Sequence, residues 1–281
     1  MSTAVFLGGL AALLGTVVGS FLNVLIYRLP RMLEAQWAQW GSPSDATTSL
    51  SATTTPFAPF NLAVPASHCP HCGHALRWVD NFPVLSYLRL RGCCRHCSAA
   101  IGWRYPAIEL LTGALFYWSF QRHGLSPAFA AWAGFTAGLV ALAAIDADTT
   151  LLPDAITQPL LWSGLIAAGL GITSIGLSTA LWGAVWGYVF LASVFWLFKA
   201  ITGQEGMGQG DFKLLAALGA WLGWQALLPM VLIASVTGAA WGIWLRLSHR
   251  LPEDGYIPFG PFLALAGLLV MAWGPWPDGY L

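Results

Sequence analysis

The sequence predicts an all-α polytopic membrane protein with about eight transmembrane helices and a small cytoplasmic zinc-binding lobe. Of its 281 residues, 57% are hydrophobic and only 9% are charged, a composition typical of membrane proteins rather than of soluble domains. Apolar runs of about 20 residues, the length that crosses a bilayer, recur along the chain. The net charge is zero, so nothing indicates a nucleic-acid partner, and a lipid bilayer is the expected environment.

Eight apolar runs define the predicted spans. They lie near residues 4–27, 106–121, 127–145, 155–172, 177–198, 213–228, 229–246 and 258–276. The least sharply marked boundaries are at Pro229 and at the short connection 173–176. The predicted domains are a first transmembrane helix over 1–27, a cytoplasmic region over 28–105 and a seven-helix domain over 106–281.

The basic residues predict the orientation, because Lys and Arg in short loops stay in the cytoplasm. Alternate threading of the spans places eleven of the twelve Lys and Arg residues on one side and leaves only Arg122 on the other. That side is therefore cytoplasmic, and both termini are expected outside. No basic segment precedes the first apolar run and Arg28 follows it directly, which favours a retained anchor over a removed signal peptide.

The long polar region divides into two parts. Residues 35–64 are rich in Ser, Thr, Pro and Ala with almost no charge, which predicts a flexible linker. Residues 66–103 contain all five cysteines and four of the six histidines. A separate small lobe is expected there.

Within this lobe, Cys69 and Cys72 form one C-x2-C pair, and Cys94 and Cys97 form a second one, separated from the first by 21 residues. This spacing is typical of a four-thiolate structural zinc site. Two disulfides would be the alternative, but they need an oxidising compartment. The adjacent Cys93 leaves the second pair ambiguous, although the spacing favours Cys94. Because four thiolates leave no position for water, we expect this site to fold the lobe and not to catalyse.

Two acidic residues at the predicted cytoplasmic membrane face, Asp146 and Asp211, are candidates for chemistry. A carboxylate beside hydrocarbon costs at least about 2.5–3.5 kcal/mol, so such a residue indicates function. If the two meet, they cannot both ionise easily; one then acts as a base toward water and the other as an acid toward a leaving amine. Asp148 and Asp154 lie nearby, but an Asp at a helix boundary is commonly a cap.

Glycines at 206, 208 and 210 surround Asp211 and would let the backbone leave regular helix and pack closely. Glu109, inside the second span, is another buried acid. A hydrogen bond to Asn23 or Ser20 of the first span would explain it structurally.

Several motifs together resemble one known family, the type IV prepilin peptidases. They are Gly19-Ser20-Phe21-Leu22-Asn23 with Arg28-Leu29-Pro30, the two cysteine pairs, Asn81-Phe82-Pro83-Val84-Leu85-Ser86-Tyr87-Leu88, Arg104-Tyr105-Pro106 with Glu109, Ile145-Asp146 with Pro153-Asp154, and Gly206-Met207-Gly208-Gln209-Gly210-Asp211-Phe212-Lys213. The Gly-x-Gly-Asp element alone also occurs in presenilin-like proteases. The whole series in this order is far more specific.

This resemblance implies a bifunctional enzyme of the bacterial inner membrane, serving type IV pili and type II secretion. It implies that Asp146 and Asp211 are catalytic, and that Asp148, Asp154, Gly208, Gly210 and Lys213 support them. The substrate would be the leader of a prepilin or pseudopilin, cut at the cytoplasmic face after a glycine. The new terminal residue would then be methylated from S-adenosylmethionine, at a site that no glycine-rich loop marks.

Two other classes of function are open to a chain of this kind. A transporter or membrane assembly factor would use intramembrane acids to relay protons or ions, but it would be expected to place them near the midplane and to contain repeated halves. A zinc-binding scaffold without catalysis would tolerate loss of the acids. Loss of leader cleavage on replacing the acids would separate both from the peptidase.

Overall fold

The computed structural model describes residues 2–40, 60–204, 206–250 and 257–273, and within them it is helical with two isolated β-bridges. The prediction of an all-α membrane protein is confirmed. The helices are α1 (Ser2–Trp40), α2 (Leu85–Arg89), α3 (Arg104–His123), α4 (Pro127–Thr149), α5 (Asp154–Gly169), α6 (Leu177–Thr202), α7 (Gln209–Leu222), α8 (Leu227–Leu247) and α9 (Gly260–Trp273), with 3-10 turns at Trp78–Asn81 and Trp224–Ala226.

Four helical segments in the described residues are long and apolar enough to cross a membrane: Thr3–Ala38, Pro127–Thr149, Leu177–Thr202 and Trp224–Leu247. The predicted count of eight spans is therefore not confirmed. Helices α5, α7 and α9 contain 16, 14 and 14 residues, which is short of the roughly 20 that a span needs. Helix α3 has 20 residues and is long enough to cross a membrane. Three of them, however, are charged, namely Arg104, Glu109 and Arg122, and charged side chains are costly in hydrocarbon.

The boundary predicted at Pro229 lies elsewhere. Helix α7 ends at Leu222, and Gly223, with φ of 83°, turns the chain before α8 begins at Leu227. Pro229 lies in the first turn of α8, where a proline disturbs no helical hydrogen bond because the first N–H groups have no partner within the helix.

The segment predicted as a linker is partly ordered. Helix α1 continues to Trp40, so residues 35–40 are helical, while residues 41–59 lie outside the described part of the chain. The buried guanidinium of Arg28 on α1 donates hydrogen bonds to the carbonyls of Asn61 (2.9 Å), Leu62 (3.3 Å) and Pro65 (2.7 Å). The last part of the predicted linker is thereby attached to α1.

The chain forms two compact units, Met1–Tyr117 and Trp118–Leu281. In the N-terminal unit, α1 and the first part of α3 pack at backbone distance. A Cβ on Gly19 would lie 2.7 Å from Glu109 Cα, and one on Gly113 would lie 2.7 Å from the Thr16 side chain. Small residues at such positions allow membrane helices to approach closely. This contact brings Glu109 beside Ser20 of α1.

Helix α7 is at the core of the C-terminal unit, where it packs against α5, α6 and α9. Eleven of its fourteen residues are buried. Gly183 of α6 and Gly219 of α7 face each other so closely that a Cβ on either would lie 2.1 Å from the carbonyl oxygen of the other. The position of α7, and with it that of Asp211, is therefore determined by packing on several sides.

Candidate active site and metal centre

The four predicted cysteine ligands come together in the N-terminal unit. The Sγ atoms of Cys69, Cys72, Cys94 and Cys97 all lie within 4.8 Å of one another, and those of Cys69 and Cys97 are 3.8 Å apart. Sulfurs in a tetrahedral site with zinc–sulfur bonds of about 2.3 Å are expected roughly 3.8 Å apart. The cluster therefore fits a metal ion of this kind. Its four thiols, and that of Cys93 outside it, are free rather than joined as disulfides.

The two cysteine turns repeat one backbone structure. The N–H of Gly73 donates to the carbonyl of Cys69 (2.9 Å), and 25 positions later the N–H of Ser98 donates to that of Cys94 (3.0 Å). Gly73 and Ser98 both have left-handed backbone conformations, with φ of 67° and 56°. Each C-x2-C pair is therefore presented by the same hydrogen-bonded turn.

This repeat resolves the ambiguity of Cys93. Cys93 forms a β-bridge with Ala100, in the position that His68, bridged to Ala75, has in the first turn. Its thiol is directed to the carbonyl of Arg91 at 3.7 Å, and it is not part of the four-thiol cluster. The second pair is thus Cys94 with Cys97, as the spacing favours.

Backbone N–H groups favour the thiolate form of one of these cysteines, Cys94. Hydrogen bonds from the N–H groups of Cys97 and His96 lower the pKa of the Cys94 thiol to about 6. The thiolate is the form that binds metal. These donors therefore favour the metal-binding form of Cys94.

Asp146 lies in the last two turns of α4 and is only 4% exposed. The helix continues beyond the predicted end of the span at 145, as far as Thr149, and Thr150 ends it in a left-handed conformation whose N–H donates to the Asp146 carbonyl at 2.8 Å. The Oδ2 atom of Asp146 accepts a hydrogen bond from the N–H of Gly260 at 2.9 Å.

Asp211 lies in the first turn of α7 and is 3% exposed. Gly208 is the N-cap of this helix. A Cβ on Gly210 would lie 2.6 Å from Leu152 Cβ, so the glycine lets the start of α7 contact the connection that follows α4. The carboxyl groups of Asp146 and Asp211 lie close enough for their like charges to repel each other.

The predicted supporting residues surround this pair at more exposed positions. Asp148 follows Asp146 on α4 and is exposed. Lys213 of α7 donates to both carboxylate oxygens of Asp154 on α5, at 2.6 and 2.8 Å. This ion pair connects the N-terminal parts of two helices, two residues away from Asp211.

Gly260 is a site residue that was not predicted from the sequence. It begins α9 and contributes a backbone N–H, so its residue type says nothing about the contact. The only available signal was a glycine followed by proline, Gly260-Pro261, which is typical of a helix start.

Glu109 has the structural explanation considered from the sequence. Its Oε2 atom accepts a hydrogen bond from the N–H of Val84 at 2.7 Å, and Ser20 is its second partner. Val84 has φ of 59°, which is unusual for a β-branched residue. Asn23 instead donates to the carbonyl of Tyr105 at 3.1 Å.

The N-terminal unit also contains a cavity of about 410 Å³, within the range of small-molecule sites. Aromatic and charged side chains are both prominent in its lining, among them Tyr27, Phe60, Tyr105, Arg31, Arg77 and Glu109. Such a lining could bind a ligand with an apolar ring system and separate charges.

Two protein-family models match this chain, and the boundary between their matches lies near the boundary between the two structural units. The model of the Bacterial Peptidase A24 N-terminal domain matches residues 13–123, and that of the Type IV leader peptidase family matches residues 133–243. No solved structure matches the chain.

Three relatives are each named Prepilin leader peptidase/N-methyltransferase. The protein of Burkholderia pseudomallei (strain 1026b) is 50% identical over 264 residues, which are 94% of this chain and 84% of the relative. That of Pseudomonas aeruginosa is 49% identical over 264 residues, 93% of this chain and 89% of the relative. That of Aeromonas hydrophila is 48% identical over 271 residues, which are 94% of this chain and 90% of the relative. This chain therefore belongs to the type IV leader peptidase family.

Proposed function

We propose that this protein cleaves the amino-terminal leader of prepilins and pseudopilins with Asp146 and Asp211, and then N-methylates the new terminal residue. One observation supports this most directly: two buried carboxyl groups, one near the end of α4 and one near the start of α7, interact electrostatically. The relatives that share about half of its residues are named for both activities.

The chemistry follows from one shared proton. Two like charges held close together in a buried site do not both form, so one acid is protonated and the other is ionised. The ionised aspartate takes a proton from a water molecule, whose oxygen attacks the scissile carbonyl carbon. As the carbon–nitrogen bond breaks, the protonated aspartate gives its proton to the leaving amine. Transfer of the first proton between the two carboxyl groups restores the starting state.

The expected membrane orientation would deliver the scissile bond to this site. A short basic leader stays in the cytoplasm while the hydrophobic segment of the pilin lies in the bilayer. We place the protein in the bacterial inner membrane, with the aspartate pair and cysteine lobe facing the cytoplasm and both termini in the periplasm. The distribution of Lys and Arg supports this orientation.

The neighbouring residues would support the pair. The Lys213–Asp154 ion pair connects α7 to α5. Gly208 is the N-cap of α7, and Gly210 lets the start of this helix approach Leu152. Asp148 would contribute negative charge at the exposed rim of the site, where a basic leader enters.

Methylation would use S-adenosylmethionine, which supplies the methyl group to the new terminal amine. The cavity of the N-terminal unit is our candidate for its site. Aromatic rings such as Tyr27 and Tyr105 can contact a sulfonium cation through their faces, and the carboxylate of Glu109 complements its charge. Arg31 or Arg77 could pair with the carboxylate of the methionine part.

The four cysteines would hold Zn²⁺ in a structural role. The site has four protein ligands and hence no open position for substrate or water. Its proposed effect is to hold the two cysteine turns together, because the free energy of metal binding becomes free energy of folding in such lobes.

Incubation of the purified protein with a synthetic prepilin, with and without S-adenosylmethionine, tests the proposal by mass spectrometry. We expect loss of the leader in both reactions and addition of one methyl group only with the donor. An intact prepilin after incubation would instead favour the transporter or assembly-factor interpretation.

A further inference from the structure

We propose that Gly260 is a positioning residue for leader cleavage, which holds Asp146 as the ionised member of the aspartate pair. This inference rests on the proposed peptidase function. It assigns distinct roles to two acids that the sequence leaves equivalent.

The first observation is the hydrogen bond to Asp146. The N–H of Gly260 donates to Oδ2 of Asp146 at 2.9 Å in a buried environment. Gly260 is the first residue of α9, a helix of 14 residues, so its N–H is one of those without a partner inside the helix. The aligned peptide dipoles also place partial positive charge at this end, which stabilises a nearby carboxylate.

The second observation is the lack of space for a side chain at residue 260. A Cβ built on Gly260 would lie 2.7 Å from Oδ2, 3.1 Å from Cγ and 3.3 Å from Cβ of Asp146. The glycine therefore allows the carboxylate to approach the backbone of α9 directly. Any larger residue would displace the end of the Asp146 side chain.

These contacts make the pair unequal. Both acids lie near the N-terminus of a helix, Asp146 beside α9 and Asp211 in α7, so the helix dipoles do not distinguish them. The hydrogen bond from Gly260 favours negative charge on Asp146, so the ionised carboxylate is that of Asp146, and the shared proton rests on Asp211. Asp146 then takes the proton of the attacking water, and Asp211 protonates the leaving amine.

The Gly260→Ala variant tests this role. The displaced atoms belong to the end of one side chain rather than to backbone, so the fold should accommodate the methyl group while the carboxylate moves. A shift of a reacting group by about 1 Å can lower a rate roughly 10²-fold. We expect kcat for leader cleavage to fall by about that factor, with KM and the thermal midpoint in detergent nearly unchanged.

Gly267→Ala in the same helix is the matched control. Its Cβ would lie 2.5 Å from Leu218 Cδ2, which is at least as tight, but it displaces an apolar side chain. We expect this variant to lower the thermal midpoint more than Gly260→Ala does while kcat stays within a few-fold of the unsubstituted protein.

The possible results are distinct. Near-normal kcat in Gly260→Ala would overturn the positioning role, and so would an equal loss of cleavage in both variants, or a loss that simply follows the thermal midpoint. Failure of the unsubstituted protein to cut a prepilin would instead overturn the proposed function itself.

Discussion

The cysteine site and the aspartate site of this protein are built in opposite ways. Each half of the cysteine site is a short segment, 67–76 or 92–101, that folds on itself through hydrogen bonds between near neighbours. The aspartate site combines Asp146, Asp211 and Gly260 from three different helices. The first site is encoded by local spacing, whereas the second depends on how distant helices pack. The two sites should therefore fail for different reasons.

The largest expected effect is a loss of leader cleavage with an unchanged zinc content. We predict that Asp146→Asn or Asp211→Asn lowers the rate of leader cleavage by about 10²–10⁴-fold, because a neutral amide cannot transfer the proton. The zinc content, measured by atomic emission, should stay the same as in the unsubstituted protein. Glu34→Gln, which changes an exposed acid on α1, is the control and should retain activity. Near-normal cleavage by either Asn variant would refute the assignment of the pair.

Replacement of cysteine ligands should remove the metal. We predict that Cys69→Ser with Cys72→Ser lowers the zinc content to near zero and reduces the yield of folded protein, because structural zinc in small domains contributes about 10–16 kcal/mol of apparent binding free energy. Cys93→Ser is a matched control, since its thiol lies outside the cluster. An unchanged metal content in the double variant would contradict the four-cysteine site.

A substitution that disturbs the packing of α6 on α7 should affect the aspartate site by lowering the stability of the protein. We predict that Gly183→Ala destabilises the protein by about 3 kcal/mol, the upper part of the usual range for overpacking, because the new Cβ would meet the Gly219 carbonyl of α7 at 2.1 Å. The thermal midpoint in detergent should fall and the zinc content of the folded fraction should not. Gly134→Ala on α4, where a Cβ meets nothing within 4 Å, is the control. Equal midpoints for the two variants would show that α6 and α7 tolerate separation.

The smallest effect is expected at the ion pair beside the aspartates. The side chains of Lys213 and Asp154 are 29% and 61% exposed, and exposed pairs contribute roughly 0.2–1 kcal/mol. We predict that Lys213→Met lowers kcat for leader cleavage only a few-fold, an effect that high salt reproduces in the unsubstituted protein. A loss as large as that of Asp211→Asn would indicate that Lys213 contacts the reacting groups.

Features that local sequence encodes could be predicted. The cysteine spacing predicted a cluster that the structure forms, and apolar runs located each main helix. The break before α8 was placed wrongly, because Pro229 fits a helix start as well as a helix end, and residues 35–40 continue α1 instead of beginning a linker. The role of Gly260 could not be predicted, since its contribution is a backbone N–H brought to Asp146 by packing across 114 positions.

The burial of α7 has a consequence for how the protein is made. This helix is about 21 Å long at 1.5 Å per residue, shorter than the hydrocarbon layer of about 30 Å, and its first turn contains an acidic residue, Asp211. Alone in lipid it would be a poor candidate for insertion, because both its length and its carboxyl group oppose it. Its neighbours α5 and α9 lie before and after it in the chain. We expect α7 to be accepted into the bilayer only together with these helices, so that the catalytic centre is completed late in biogenesis, after α9 has left the ribosome.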